Sequence, residues 1–144
     1  MLQLLMVHPC VDPSACDNLA ITIASTRGYL PIVMELLTDK RVDASTQSSY
    51  SLREARKNGH TQVVEYLLKL PDVDPTVHNN ICVRSACKYN HIEVVKLLLK
   101  DPRVDPSACY NEAIVSAQDG GHEAVIRVLL EDLRVNKSGL SIDF

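Results

Sequence analysis

The chain has 144 residues, with 15 Lys plus Arg, 18 Asp plus Glu and a formal net charge of −3. This length is typical of one domain. The acidic balance argues against nucleic-acid binding, which usually requires a basic domain with a basic stripe. Hydrophobic residues make up 46% of the chain and aromatic residues 4%, so a folded core must be built mainly from Leu, Val, Ile and Ala.

The beginning of the chain and its cysteines bear on cellular location. Segment 1–7 is apolar but lacks a basic leader and is followed by no clear small-residue cleavage site, so it is read as helix and not as a signal peptide. No run approaches the roughly 18 apolar residues that span a bilayer. Five cysteines, without a Cys-x-x-Cys pair, favour a reduced protein. We therefore expect an intracellular protein that is neither secreted nor bound to a membrane.

Self-comparison shows a repeat of 31 residues. Val-Asp recurs with this step, ending in a degenerate Val-Asn copy, and Gly or Asn, Ala and His recur in their own registers. The repeated positions are Val11, Val42, Val73, Val104 and Val135; Gly28, Gly59, Asn90 and Gly121; Ala24, Ala55, Ala86 and Ala117; and His60, His91 and His122. The period predicts complete units at 11–41, 42–72, 73–103 and 104–134. Partial units would lie at 1–10, as a second helix only, and at 135–144, as a C-terminal tail, within one domain of 1–144.

Each unit predicts two helices. Ile21 and Ala24, three residues apart, mark one face of a first helix of about eight to ten residues. Apolar residues at 32, 33, 36 and 37 form one stripe of a longer second helix. Asn18 and its equivalents Ser49, Asn80 and Asn111 are N-cap types, and Gly28 and its equivalents tolerate the positive φ of a helix C-cap. Stacked neighbours would then supply the core.

Two segments carry a resemblance to a known family. Segments 59–68 and 90–99 read Gly-His-Thr-Gln-Val-Val-Glu-Tyr-Leu-Leu and Asn-His-Ile-Glu-Val-Val-Lys-Leu-Leu-Leu. They resemble the second helix of ankyrin repeats, and the likeness covers nearly the whole chain. The period of 31 is shorter than the usual 33 or so. The Thr-Pro-Leu-His start of the family is absent. Tetratricopeptide repeats, the structural alternative, require about 34 residues and a different aromatic and Gly pattern.

The resemblance implies an all-α, ankyrin-type solenoid of helix-turn-helix repeats with short extended loops. It also implies that targets bind on a concave face formed by the short helices and loop tips. The linker Asp-Pro-Arg-Val-Asp-Pro-Ser at 101–107 resembles ankyrin arrays of large DNA viruses that infect amoebae, which would place the protein in the host cytoplasm.

Chemical motifs are sparse. Stacked repeat histidines are about 8–10 Å apart, whereas zinc–nitrogen bonds measure about 2.0–2.1 Å, so they predict a capping role and no metal. The aspartates at 12, 43, 74 and 105 share one register, which predicts Asx turns. No phosphate loop, nucleophile elbow or His-Glu-x-x-His helix occurs. We therefore expect no enzyme and no cofactor.

The candidate site is a protein-binding surface. Segments 50–58 and 81–89 each carry a net charge of +2, whereas 112–120 carries −2, which suggests a partner with an acidic surface. Tyr89 and Tyr110 would be aromatic anchors. The candidate residues on the concave face differ between units or carry its positive charge: Arg27, Gln47, Arg53, Lys57, His78, Arg84, Lys88, Tyr89 and Tyr110.

The expected function is therefore non-catalytic protein binding. We expect a monomer in preference to a homo-oligomer. Two alternatives stay open. One is a structural or self-associating array joined through weakly capped ends. The other is a targeting or regulatory fragment of a larger protein.

Overall fold

The computed structural model describes residues 11–135 and 137, apart from the side chains of Gln47 and Ser48. All regular elements in this part of the chain are helices, which confirms the predicted all-α class. They are α1 (Ala15–Arg27), α2 (Leu30–Leu36), α3 (Thr46–Lys57), α4 (Thr61–Leu68), α5 (Val77–Lys88), α6 (Ile92–Leu99), α7 (Ala108–Asp119) and α8 (Glu123–Glu131). The predicted partial units at 1–10 and 135–144 lie almost entirely outside the described residues.

The eight described helices form four hairpins that stack in chain order. Within each hairpin the two helices contact each other, and each helix also contacts its equivalent in the next hairpin. Buried aliphatic side chains recur at the same positions of each hairpin and form one continuous core. The deepest rows are Ile21, Leu52, Val83 and Ile114 on the first helices, and Leu36, Leu67, Leu98 and Leu129 on the second helices.

A left-handed residue joins the two helices of each hairpin, as predicted. Gly28, Gly59, Asn90 and Gly121 have φ between 59° and 74°. Main-chain N–H groups of the residues that follow bond back to the end of the first helix, for example Tyr29 to the carbonyl of Ala24 at 2.9 Å. The short side chain of Gly or Asn permits this conformation.

The repeat histidines cap the neighbouring hairpin. Nε2 of His60, His91 and His122 lies 2.9, 2.7 and 3.1 Å from the carbonyl oxygens of Thr26, Lys57 and Lys88 respectively. A carbonyl can only accept, so this ring nitrogen must carry the proton and donate it. Each bond satisfies a C-terminal carbonyl of the preceding first helix, and the predicted capping role is therefore confirmed.

The prediction of N-caps at Asn18 and its equivalents was wrong. Asn18, Ser49, Asn80 and Asn111 have φ of 57–65°, whereas an N-cap has extended geometry. They end a left-handed turn, which comprises three residues in the first, third and fourth hairpins. The side-chain oxygens of Asn18 and Asn80 accept hydrogen bonds from the main-chain N–H groups of Asp43 and Asp105, both at 2.8 Å. These side chains therefore join consecutive hairpins.

The second helix of each hairpin is not the longer one, contrary to expectation. The first helices have 12 or 13 residues, including the left-handed residues near their start, and the second helices have seven to nine. Each second helix ends in a tighter i→i−3 bond, such as the N–H of Asp101 to the carbonyl of Leu98 at 3.0 Å. These bonds close the final turn and lead the chain into the loop.

Among the described residues, one charged side chain lies within the core. Arg56 is 1% exposed, and its Nη1 donates to the carbonyl of Cys82 at 3.5 Å. Its Nε has no hydrogen-bond partner within the described residues. Burial lowers the pKa of Arg56, because the charged form loses solvation. The equivalent positions hold Ser25, Cys87 and Gln118, so the cost of burying a guanidinium falls on the second hairpin alone.

Replacing Arg56 by a neutral side chain of similar length should therefore stabilise the array. We expect Arg56→Met to raise the free energy of unfolding by about 1 kcal/mol, because removal of a buried charge offsets the loss of one weak hydrogen bond. Urea denaturation would measure it. Arg27→Met, at an exposed arginine, is the control and should change stability by less than about 0.5 kcal/mol. A loss of about 1 kcal/mol in Arg56→Met would contradict this interpretation.

Substitutions at two glycines would measure how much the packing of His60 against the first hairpin contributes to stability. A Cβ at Gly28 would lie 2.5 Å from Nδ1 of His60, whereas a Cβ at Gly121 would have no neighbour within 4 Å. Both residues have positive φ, of 73° and 67°. Gly121→Ala should cost about 1 kcal/mol of stability from backbone strain alone, and Gly28→Ala about 1–2 kcal/mol more, because the His60 ring must move from its carbonyl. Equal losses in thermal unfolding would show that the ring relaxes freely.

Candidate functional site

The candidate residues were sought on the first-helix face, which we define as the exposed side chains of α1, α3, α5 and α7 and of the residue directly after each. Arg27, Lys57 and Lys88 are exposed at the ends of α1, α3 and α5, and Tyr89 follows α5 with 46% of its surface exposed. The carbonyls of Lys57 and Lys88 are fixed by the histidine bonds. The two lysines therefore have anchored backbones and solvated side chains.

Two of the three candidate arginines, Arg53 and Arg84, make contacts within the protein. The guanidinium of Arg53 lies 3.9 Å from the centroid of the Tyr50 ring, and its Nε lies 3.5 Å from Oε1 of Glu54. Nη2 of Arg84 lies 2.5 Å from Oε2 of Glu112 on the next first helix. Such a pair is largely neutral toward an approaching partner. The sequence count of +2 for each of these segments therefore overstates the charge available on the first-helix face.

The lysines carry the available charge. Lys57 and Lys88 occupy equivalent positions one unit apart, and neither forms an ion pair with another described residue. Asp119 occupies the same position on α7 and is exposed. At this position of successive first helices, the face thus presents two positive charges and then a negative one, and Arg27 adds an exposed positive charge at the end of α1.

A small groove lies beside Lys88, between α5 and α7. It has a volume of about 190 Å³ and is lined by Ile81, Arg84, Ser85, Lys88, Tyr89, Glu112 and Ser116. Drug-sized ligands occupy clefts of about 300–1,000 Å³, so this groove suits a single side chain. Its walls combine an aliphatic surface, two serines and the Arg84–Glu112 pair.

The remaining candidates do not lie on the helical part of this face. His78 and Tyr110 are in the left-handed turns, with φ of 52° and 59°, and Tyr110 is fully exposed. The carbonyl of His78 accepts a hydrogen bond from Nη1 of Arg84 at 3.2 Å, which fixes that turn to α5. The Gln47 side chain lies outside the described residues. The candidates therefore form a row along the stack and do not converge on one point.

The repeated aspartates form the predicted turns. In the four complete units, the side chain of Asp12, Asp43, Asp74 or Asp105 accepts bonds from the N–H and hydroxyl of the Ser or Thr two residues later, at 2.6–2.9 Å. The hydroxyl bond lowers the pKa of Asp12 and Asp43. These carboxylates are committed to loop structure.

A second loop motif was missed by sequence reasoning. Asp39, Asp101 and Asp132 each bind the arginine two residues later, with Nη2–Oδ2 distances of 2.6, 2.7 and 2.6 Å. The bond from the Arg41 side chain is the main cause that lowers the pKa of Asp39 to about 2. These pairs were visible in the sequence, because Asp-x-Arg occurs at 39–41, 101–103 and 132–134, at multiples of the 31-residue period.

The cysteines do not form a reactive centre in the described part of the chain. Cys16, Cys82, Cys87 and Cys109 are free thiols. Burial raises the pKa of Cys87 to about 12 and also raises that of Cys82, so neither is a thiolate near neutral pH. Among the described residues, no group of three His, Cys, Asp or Glu could hold a metal ion, and no described helix is long and apolar enough to cross a bilayer.

Comparison with known families gives a match in the middle of the chain. Residues 82–111 match the family model described as ankyrin repeat. This stretch is similar to an ankyrin repeat. It runs from α5 through α6 to the left-handed turn near the start of α7, and hairpins of the same period lie on both sides of it. The predicted ankyrin-type helix-turn-helix solenoid is therefore confirmed. No curated protein and no solved structure matches the chain. Ankyrin repeats are generally protein–protein interaction modules and are typically not enzymes.

The Asp39–Arg41 pair gives a pH prediction. Because the pKa of Asp39 is lower in the folded state than its unfolded value of about 3.9, the pair stabilises the fold above that value. The contribution is lost as pH falls through about 2. The wild type should therefore be more stable than Asp39→Asn at neutral pH, and the difference in urea midpoint should shrink steadily below about pH 4.

Arg41→Met provides the control. In that background, Asp39→Asn should have a smaller effect that depends less on pH, because only the bond from the main-chain N–H of residue 41 to Asp39 remains. A pH-dependent difference of the same size in both backgrounds would assign the effect to another group.

Proposed function

We propose that this ankyrin-type array is a non-catalytic module that binds an acidic segment of a partner protein along the first-helix face. The observation that carries the proposal is the placement of Lys57 and Lys88. Both are exposed and occupy equivalent positions on successive first helices, and neither is paired with a described carboxylate. Their charges are therefore available to a partner.

The spacing of the two lysines fits an extended acidic segment. Neighbouring packed helices are about 8–10 Å apart, and an extended chain spans about 3.3 Å per residue. Carboxylates about three residues apart would then meet Lys57 and Lys88 in turn. The exposed ring of Tyr89 lies next in sequence to Lys88, at the groove, and can provide an aromatic contact of the kind favoured at interfaces.

The arginines have a supporting role in this proposal. Arg84 holds Glu112 beside the groove, and Arg53 stacks on Tyr50. These contacts fix the surface from which the lysines extend. Asp119, exposed at the equivalent position of α7, would repel an acidic segment, so the segment would end near the third hairpin.

The other expectations from the sequence stay with this proposal. A monomeric, intracellular protein without nucleic-acid or membrane partners fits the acidic chain and its free thiols. A viral origin rests on the linker wording at 101–107 alone. Self-association and membership of a larger protein remain the alternatives.

A charge-reversal experiment tests the binding face. Peptides selected for binding to the full chain from a random display library should be enriched in Asp and Glu. Lys57→Glu combined with Lys88→Glu should weaken their binding by at least about tenfold, because two attractions become repulsions. Fluorescence anisotropy with the selected peptides would measure the change.

The control applies the same charge change elsewhere. Lys69 and Lys100 follow the second helices α4 and α6 and are exposed. Lys69→Glu with Lys100→Glu should leave peptide binding within about twofold, since exposed charges farther than about 10 Å away are largely screened at 0.1 M salt. If both double variants lose binding equally, or if the selected peptides are not acidic, the proposed face is wrong.

A further inference from the structure

Arg134 occupies a well-defined site between two loops. Its Nη2 donates to the carbonyl of Leu99 at 2.5 Å, and its Nη1 donates to the carbonyls of Asp101 and Val104 at 3.2 and 2.7 Å. Asp132 holds the same guanidinium at 2.6 Å. The site therefore combines main-chain carbonyls of the preceding loop with a carboxylate of the arginine's own loop.

Two units earlier the arginine is missing. Leu70 and Asp72 stand at the positions of Asp132 and Arg134. The carbonyls equivalent to those of Leu99 and Val104 belong to Leu37 and Val42. Within the described residues, neither of these two oxygens accepts a hydrogen bond. The acceptors of the arginine site are thus kept, whereas the donor is replaced by an exposed carboxylate.

The space for a side chain is also present. A groove of about 380 Å³ lies between the loop after α2 and the loop after α4, lined in part by Leu37, Val42, Leu70 and Asp72. Leu37 and Leu70 contribute apolar walls. This combination of an apolar wall, carbonyl oxygens and a carboxylate matches the methylene stem and planar donor fork of an arginine.

We propose that this groove binds the arginine side chain of a partner protein. The guest guanidinium would donate to the carbonyls of Leu37 and Val42 and pair with Asp72. A guanidinium of the partner would thus occupy in this groove the place that the Arg134 guanidinium occupies between the last two loops of this chain. Arginine is favoured over lysine, because its five N–H donors can reach separated acceptors in one plane.

The neighbouring loops differ from this one because each has an arginine of its own at the position of Asp72. In the loop after α2, Arg41 donates to the carbonyl of Val11 in the loop before α1 at 3.4 Å, so an internal arginine is present there. In the loop after α6, Arg103 is present and pairs with Asp101. Lys40 also lines the groove and would oppose a cation, so its neutralisation should strengthen binding. This surface is built from loops and does not depend on Lys57 or Lys88, so it can fail or hold independently of the proposed function.

Titration with small probes tests the groove in the full chain. N-acetyl-arginine amide should cause saturable amide shifts in ¹⁵N-labelled protein, centred on Val42, Asp43, Asp72 and Val73. N-acetyl-lysine amide should bind at least about fivefold more weakly, since a point charge cannot engage the acceptors together. Lys40→Gln should tighten arginine binding by about twofold to threefold, because a like charge is removed.

Two variants decide the outcome. Leu70→Asp with Asp72→Arg rebuilds the internal pair, fills the groove and should abolish the saturable shifts. Asp72→Asn, a change at an exposed residue, should keep the fold and weaken arginine binding by about fivefold to tenfold, since a charge-assisted bond becomes a neutral one. The proposal is overturned if the wild type shows no saturable shift, if arginine and lysine probes bind equally, or if Asp72→Asn binds as tightly as the wild type.

Discussion

Hydrogen bonds from side chains of one hairpin to the main chain of a neighbour are the constraint on which the stack depends. The His91 ring reaches the carbonyl of Lys57, the Asn80 side chain reaches the N–H of Asp105, and Arg134 reaches three carbonyls of the preceding loop. Aliphatic burial supplies most of the stabilising free energy, but Leu and Val side chains can slide past one another. The polar bonds have one geometry, so they fix the register between hairpins.

The 31-residue period made the buried core and the capping role of the histidines predictable, because both follow from a residue's position within the unit. A residue such as Leu67 must be buried if each unit faces its neighbours alike, and it is fully buried. His91 was predicted to cap a helix junction, and it does so. What the period could not specify was which main-chain group each side chain would meet, since that depends on the rotation between hairpins.

The errors have physical causes of the same kind. Asn tolerates both the extended geometry of an N-cap and the left-handed region, so the composition at Asn18 could not distinguish them. The side chain turned out to serve the next hairpin. Likewise, the net charge of the segment counts Arg84 as available to a partner, whereas Glu112, 28 residues further along the chain, is in contact with it only because the units stack. Asp-x-Arg was overlooked because its meaning appears only once the loop brings the two side chains together.

A stack of this kind separates stability from recognition. Each hairpin contacts mainly its neighbours, so one substitution alters one junction and leaves the others intact. An exposed Asp-x-Arg pair contributes roughly 0–1 kcal/mol, whereas a buried leucine contributes about 1.5–3 kcal/mol. The loop after α4 can therefore have Leu70 and Asp72 in place of the Asp–Arg pair with little loss of stability. A position that the fold does not require is then available to bind a partner, and the departures from the period, more than its repetition, mark where function resides.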